Sequence, residues 1–175
     1  MTDPKLDAAL GLIREIPDFP APGVLFRDLG PVFADAEAFR TLIGGVADTL
    51  DASVDVLVAV EARGFLLGAA VAQAAGLGVV PVRKPGKTPL VAHRADYALE
   101  YGTASLELPA GLLVAGQRVA IIDDVLATGG TVAAAGRLVA SAGATVAGVS
   151  VVIELAALGG RTVLSGYPVH ALTTL

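Results

Sequence analysis

Short apolar runs alternate along this chain with segments that have helical periodicity. The runs that are rich in β-branched and other apolar residues, as buried strands are, lie at 54–60, 79–82, 118–122 and 145–153. Segments of helical character, each followed by a glycine, lie between them at 65–75 and 131–142. Because parallel strands are joined by crossover helices, this order predicts an α/β fold with a mostly parallel sheet flanked by helices. Ligands bind such sheets at the carboxyl ends of the strands.

The first 50 residues carry a different pattern. Leu6, Leu10 and Ile13 recur at steps of three and four, which predicts an amphipathic helix that ends before Pro17. The proline-rich stretch 17–23 then predicts a rigid loop without regular structure. A second helix is predicted after Asp35, whose carboxylate can cap its first turn.

Length and composition favour one folded domain over 1–175. The chain has 175 residues, of which 54% are hydrophobic and 17% charged, so it has enough apolar surface to form a core and is not disordered. The longest uncharged stretch, between Arg63 and Arg83, is interrupted by Gly76, Gly78 and Pro81, and therefore does not predict a membrane span.

Cysteine content and the first residues indicate the compartment. The chain has no cysteine, which excludes disulfides and thiolate metal sites and suits a reducing cytoplasm. Met1 to Asp7 is polar and does not resemble a secretory signal, so we expect a cytoplasmic protein. Two histidines leave little for a zinc site.

Charge is unevenly distributed. The formal net charge of −5 argues against general affinity for nucleic acid. Between Glu61 and Asp96, however, the chain has no acidic residue, and this window contains five cations: Arg63, Arg83, Lys84, Lys87 and Arg94. An acidic protein with one local basic field is suited to binding a small anion.

The segment 119–131 carries the strongest chemical signal. A buried strand ends in Asp123 and Asp124, and the loop that follows leads into a helix through Thr128, Gly129, Gly130 and Thr131. Backbone N–H groups and hydroxyls at a helix N-terminus form an anion site. Two carboxylates beside a phosphate site predict a bound sugar phosphate, with the acids accepting hydrogen bonds from ribose hydroxyls.

These residues resemble the signature of the type I phosphoribosyltransferases, which bind 5-phosphoribosyl-1-pyrophosphate (PRPP). The Asp-Asp pair followed by Ala-Thr-Gly-Gly-Thr is closest to the adenine branch of that family. Further segments agree with the family in order and spacing: 16–28, 61–65, 83–87 and 99–102. The resemblance runs from about residue 13 to residue 155. It implies the family's α/β fold, with a flexible lid loop over about 84–103 and a purine-pocket segment over about 13–30.

The resemblance implies roles for the phosphate-binding residues. The 5-phosphate would be held by the residues of the glycine loop: Ala127, Thr128, Gly129, Gly130 and Thr131. Asp123 and Asp124 would face the ribose and stabilise positive charge that develops on the sugar. The leaving pyrophosphate would be held by four cations: Arg63, Arg83, Lys84 and Lys87. The expected cofactor is Mg²⁺ carried by PRPP, without protein ligands of its own.

The resemblance also implies a base pocket and a catalytic acid/base. Val24, Phe26 and Arg27 would bind adenine, with the Phe26 ring stacked on the base and Leu155 forming the opposite wall. Glu100 would exchange a proton with the purine ring as N9 attacks the sugar, and Tyr101 lies beside it in the lid. From the residues alone, the stretch 84–103 has no clear periodicity, which predicts an irregular loop.

The implied activity is purine salvage: adenine and PRPP would give AMP and pyrophosphate. Two alternatives stay open at this point, a different purine base and a PRPP-sensing regulator of the same fold without turnover. We expect a homodimer whose partners are the small-molecule substrates, not nucleic acid or a membrane.

Overall fold

The computed structural model describes residues 3–99 and 102–175. It contains two compact units, Met1–Gly45 and Val46–Leu175.

The first unit contains a two-stranded antiparallel sheet and short helices. Its elements are α1 (Pro4–Leu10), β1 (Arg14–Pro17), β2 (Leu25–Asp28), α2 (Gly30–Ala34) and the start of α3 (Ala36–Ala47). Strand β1 pairs with β2 from Arg14 opposite Asp28 to Pro17 opposite Leu25. The predicted cap of α3 is confirmed, since Asp35 Oδ1 accepts hydrogen bonds from the backbone N–H groups of Glu37, at 3.0 Å, and Ala38, at 2.8 Å.

The predicted helix up to Pro17 is wrong in its second half. Helix α1 ends at Leu10, and the chain turns at Gly11 into β1, where Ile16 lies opposite Phe26. Apolar residues at steps of three and four continue from the helix into the strand, so periodicity alone did not locate the break. Gly11, which favours a helix end over a helix interior, was the local signal.

The second unit is an α/β sheet with a hairpin. Its elements are β3 (Val56–Val60), α4 (Arg63–Ala75), β4 (Gly78–Val82), β5 (Val91–Leu99), β6 (Gly102–Pro109), β7 (Arg118–Leu126), α5 (Gly130–Ser141), β8 (Thr145–Glu154), a 3₁₀ turn (Ala156–Leu158), α6 (Gly160–Val163) and β9 (Val169–Thr174). Five strands form a parallel sheet in the order β4-β3-β7-β8-β9. All five residues of β3 are buried, as expected for a central strand covered on both faces. The predicted fold class is confirmed.

The irregular loop predicted over 84–103 is wrong for part of that stretch. Val91–Leu99 forms β5 and pairs antiparallel with β6, with a register irregularity near Val91 and His93. The buried residue of the strand that faces the core is the small Ala95, flanked by the charged Arg94 and Asp96, so the alternation is weak in the sequence. Arg137 of α5 donates to the Asp96 carbonyl at 2.6 Å and ties the hairpin to the helix.

Strand β9 was not predicted, because its residues alternate only weakly between apolar and polar. His170 lies in this strand opposite Ser150. Among the helices that the structure describes, none is long and apolar enough to cross a membrane.

Candidate active site

Two neighbouring strands deliver the predicted site residues to one edge of the sheet. Strands β3 and β7 are parallel neighbours, with Ala59 opposite Ile122, so the residues that follow β3 lie beside the end of β7. The turn after β3 packs tightly there. A Cβ on Gly64 would lie 3.0 Å from the Ile122 carbonyl oxygen and 3.1 Å from Asp123 Oδ1. A glycine therefore allows the close approach of this turn to the two acids.

Asp123 and Asp124 are buried at this edge, 8% and 6% exposed. The sequence placed them after the strand, whereas β7 continues to Leu126 and includes both. The Asp124 backbone N–H donates to Asp123 Oδ1 at 2.9 Å. Burial raises the pKa of Asp123 well above its usual value, and the adjacent charge of Asp124 raises it further.

Arg63 lies against this acidic pair. Its Nε is 2.6 Å from Asp124 Oδ2, an ion pair whose N–H is not aligned as a hydrogen bond. The sequence assigned Arg63 to pyrophosphate and Asp124 to ribose, and the structure brings the two together. A cation beside the second acid lets two adjacent carboxyl groups occupy a buried position.

The glycine loop after β7 forms a small concave site at the start of α5. Gly129 adopts a left-handed backbone conformation, with φ of 82°, and precedes the first helical residue, Gly130. A cavity of about 60 Å³ is lined by residues of this loop, including Ala127, Thr128 and Thr131. The five residues that the sequence assigned to the 5-phosphate are thus contiguous at a helix N-terminus, where N–H groups and the helix dipole favour an anion.

A second backbone segment forms the wall of this loop. A Cβ on Gly160 would lie 2.2 Å from the Ala127 carbonyl oxygen, and a Cβ on Gly129 would lie 2.7 Å from the Gly160 carbonyl oxygen. The two glycines therefore pack backbone against backbone. Sequence analysis missed Gly160, although the pair Gly159-Gly160, six residues after the predicted strand at 145–153, was an available signal.

Leu155 and Glu154 lie at the end of β8, next to β7. The Leu155 backbone N–H donates to the Leu126 carbonyl at 2.9 Å, which places Leu155 beside the start of the glycine loop. Glu154, 6% exposed, receives hydrogen bonds from Arg161 Nε at 2.9 and 3.2 Å and from Arg161 Nη2 at 2.5 Å. The hydrogen bond from Arg161 lowers the pKa of Glu154, which burial alone would raise. Sequence analysis missed this pair because its partners are seven residues apart.

The basic loop after β4 is folded onto Glu61. The side chain of Lys87 donates to Glu61, the Lys84 backbone N–H donates to Glu61 Oε2 at 2.9 Å, and Arg83 Nε lies 3.8 Å from the same oxygen. Arg83 also donates through Nη1 to the Lys87 carbonyl at 2.8 Å. Three of the four predicted pyrophosphate residues thus belong to one cluster, centred on an acid that the sequence did not single out.

In the first unit, the three predicted base-pocket residues lie in or beside β2. Val24 is 44% exposed, Phe26 is half-buried, and Arg27 forms an ion pair with Glu15 of β1. Phe19, which the sequence did not single out, packs edge-to-face on Phe26 with ring centroids 5.1 Å apart. The sequence signal for Phe19 was an aromatic residue within the proline-rich stretch 17–23.

Glu100 and Tyr101, the predicted acid/base and its lid neighbour, lie outside the described residues. Within 3–99 and 102–175, no group of three or more acids and histidines is arranged to hold a metal ion. Asp123 and Asp124, which are adjacent in β7, together supply two carboxyl groups at the edge of the sheet. This donor set fits a Mg²⁺ that brings most of its ligands with the substrate, since Mg²⁺ is commonly bound by one or two carboxylates plus phosphates.

The sheet, the acidic pair and the glycine loop define an α/β protein of the phosphoribosyltransferase class. The model of the phosphoribosyl transferase domain family matches residues 34–167. An adenine phosphoribosyltransferase from Saccharopolyspora erythraea is 62% identical over 172 residues, which are 98% of this chain and 93% of that protein.

Solved structures agree. The crystal structure of adenine phosphoribosyltransferase from Thermoanaerobacter pseudethanolicus superposes with a TM-score of 0.94 at 47% identity, over 97% of this chain and 99% of that one. The enzyme from Saccharomyces cerevisiae, crystallised with adenine and an imino-altritol bisphosphate, has a TM-score of 0.89 at 37% identity, over 97% and 98% of the two chains. The chain belongs to the adenine phosphoribosyltransferase family. The predicted family and the predicted enzyme class, pentosyl transfer, are confirmed.

Proposed function

We propose that the chain transfers the phosphoribosyl group of PRPP to adenine and releases AMP and pyrophosphate. The observation that carries this function is the placement of two buried carboxyl groups, Asp123 and Asp124, directly before a phosphate-type loop at a helix N-terminus. The Saccharomyces cerevisiae relative was crystallised with adenine and an imino-altritol bisphosphate, which supports adenine as the base.

The glycine loop and the acids bind the ribose phosphate. Backbone N–H groups at 127–131 and the hydroxyls of Thr128 and Thr131 donate to the 5-phosphate. Asp123 and Asp124 accept hydrogen bonds from ribose hydroxyls. As the C1–O bond to pyrophosphate breaks and the N9–C1 bond forms, positive charge develops on the sugar, and the carboxylates stabilise it.

The basic loop binds the leaving group. Arg83, Lys84 and Lys87 supply positive charge to pyrophosphate, and the backbone of the Arg63–Gly64 turn adds N–H donors. When bound, Mg²⁺ neutralises charge on the leaving pyrophosphate. Asp123 and Asp124 are the carboxylates that would lie nearest to it.

Adenine binds at the β2 segment. Phe26 stacks on the base, and Val24 and Arg27 border it. Leu155 is assigned to adenine by the family resemblance alone. Glu100 receives the proton that the purine ring loses when N9 attacks, and Tyr101 accompanies it in the lid. These assignments follow the family resemblance of the matching residues.

The wider setting is proposed on the same basis. Residues 1–175 act as one phosphoribosyltransferase domain, with the purine-pocket segment at about 13–30 and the lid at about 84–103. The working form is a homodimer in the cytoplasm, a reducing compartment that suits a chain without cysteine.

The first experiment is to incubate the purified protein with PRPP, Mg²⁺ and a panel of purine and pyrimidine bases, and to identify products by chromatography and mass. AMP from adenine alone is the expected result. A nucleotide from another base would overturn the pocket assignment. Measurable PRPP binding without any product would identify a regulator.

Replacing Asp124 with asparagine tests the ribose assignment. Because the amide keeps the shape but loses the charge, we expect kcat/KM for PRPP to fall about 100-fold, the scale of removing one electrostatic contact to a transition state. Near-wild-type turnover would contradict this role.

A further inference from the structure

Glu61 occupies an unusual position in the charge distribution of the second unit. It is the acid that begins the acid-free window of the sequence, and two cations of that window, Arg83 and Lys87, form ion pairs with it. Its carboxylate accepts a backbone hydrogen bond from Lys84 at 2.9 Å and a side-chain hydrogen bond from Lys87, while Arg83 Nε lies at 3.8 Å. The charge offered to pyrophosphate is therefore already partly compensated.

The ion pair between Glu61 and Lys87 is asymmetric in burial. The side chain of Glu61 is 7% exposed, whereas that of Lys87 is 50% exposed. Lys87 has a flexible four-carbon side chain and can swing toward a ligand at the surface. The buried carboxylate is held by the Lys84 backbone and cannot follow it. An anion that draws Lys87 outward to the surface therefore has to break its ion pair with Glu61.

Glu61 acts as an anion under working conditions. Burial on its own would raise the pKa of Glu61, but the hydrogen bonds from Lys87 and Lys84 and the charges of Lys87 and Arg83 outweigh it and hold the pKa below its usual value. Near neutral pH the carboxylate is ionised and attracts the same cation that a phosphate would attract.

We propose that Glu61 is a positioning residue that competes with the pyrophosphate group for Lys87. The competition weakens the binding of the basic loop to pyrophosphate and thereby speeds its release as a product. This inference rests on the proposed function, because it takes Lys87 to be a pyrophosphate ligand. The inference adds that Glu61 determines how strongly Lys87 binds pyrophosphate.

The test uses Glu61→Gln, which removes the charge and keeps an oxygen that can accept from the Lys84 backbone. We expect the Kd of inorganic pyrophosphate with Mg²⁺, measured by calorimetry, to fall about fivefold, the upper range for an ion pair with one exposed partner. Product inhibition by pyrophosphate should strengthen by the same factor. Asp51→Asn removes one negative charge elsewhere in the second unit and should leave the Kd unchanged.

Lys87→Met separates the inference from the proposed function. If Lys87→Met leaves pyrophosphate affinity unchanged, Lys87 is not a ligand and its proposed role fails. If Lys87→Met weakens binding while Glu61→Gln fails to tighten it, only the competition is overturned. In the double variant, the gain from Glu61→Gln should shrink, because the contested cation is absent. An undiminished gain would show a general charge effect and would overturn competition for Lys87.

A measurement on the unaltered protein keeps the inference testable if Glu61→Gln does not fold. Lysine side-chain NMR reports the Nζ of Lys87 directly, once its signal is assigned by its loss in Lys87→Met. Addition of inorganic pyrophosphate and Mg²⁺ should shift this signal as the ammonium leaves Glu61. An unchanged signal at saturating pyrophosphate would overturn the exchange.

Discussion

Asp123 is enclosed at the end of β7 with the carboxylate of Asp124 next to it. Its pKa is raised by burial first and by Asp124 second, so the folded protein binds this proton more tightly than the unfolded chain does. The free energy of unfolding therefore falls as pH rises from the usual value of 3.8 through the raised pKa. Ionised Asp123 therefore lowers the free energy of unfolding near neutral pH, where the proposed reaction uses this carboxyl group.

We predict that Asp123→Asn is more stable than the wild type near neutral pH and less active. The amide removes the cost of ionising a buried acid, which should raise Tm by about 2–4 °C, the shift expected for about 1 kcal/mol in a chain of this size. Thermal unfolding across the pH range checks this, with KM for PRPP measured in parallel. The two proteins should converge in Tm below the usual pKa of the group. A constant difference at all pH values would contradict the titration explanation.

Glu154 affects the pH dependence of stability in the opposite direction to Asp123. The hydrogen bond from Arg161 outweighs burial and lowers its pKa, so its contribution to stability is complete above the usual value of 4.5 and is lost as pH falls through the lowered pKa. We predict that Glu154→Gln loses about 1–2 kcal/mol of unfolding free energy at pH 7, because the acceptor of the Arg161 hydrogen bonds loses its charge in a partly exposed pair. Urea unfolding at pH 7 and at pH 3 checks this. The loss should be smaller at pH 3.

At the scale of elements, the contact between the glycine loop and α6 determines the shape of the phosphate site. We predict that Gly160→Ala raises KM for PRPP about tenfold or more, because its Cβ would lie 2.2 Å from the Ala127 carbonyl oxygen and must displace the loop. Steady-state kinetics with varied PRPP measure the effect. Gly166→Ala is the matched control, since a Cβ there meets no atom within 4 Å, and it should leave KM unchanged.

The sequence predicted most elements of the sheet and the local motifs of the site. The strands at 54–60 and 145–153 and the motif at 123–131 were recognisable because each is a contiguous pattern. The elements that were wrong or missed have weak local patterns: the inward residue of β5 is the small Ala95, and β1 continues the apolar spacing of α1. The pairing of Glu61 with Lys87 joins residues 26 positions apart, and no local pattern encodes such a contact.

At the scale of the whole molecule, an acidic chain carries one local basic segment. The net charge is −5, yet three cations, Arg83, Lys84 and Lys87, fall within five residues. The acids at both ends of the acid-free window, Glu61 and Asp96, pair with two of its cations, Lys87 and Arg94. These ion pairs partly neutralise the positive charge, so its electrostatic potential extends only a short distance. We expect such a segment to favour ligands that carry several negative charges.

We predict that PRPP with Mg²⁺ stabilises the protein and that Mg²⁺ alone does not. A ligand at 100 times its Kd adds about 2.7 kcal/mol to the free energy of unfolding. Mg²⁺ alone should leave Tm unchanged, because the described part of the chain holds no cluster of three or more acids and histidines for a metal. Thermal shift assays with each component separately and together provide the measurement. A comparable shift with Mg²⁺ alone would indicate a resident metal site.

The backbone contact between Gly129 and Gly160 joins segments that are synthesised at different times. A nascent chain that has emerged only through α5 contains every residue of the phosphate motif but lacks the segment that walls it. The backbone wall of the glycine loop therefore forms late in translation, after β8 and the turn that follows have been made.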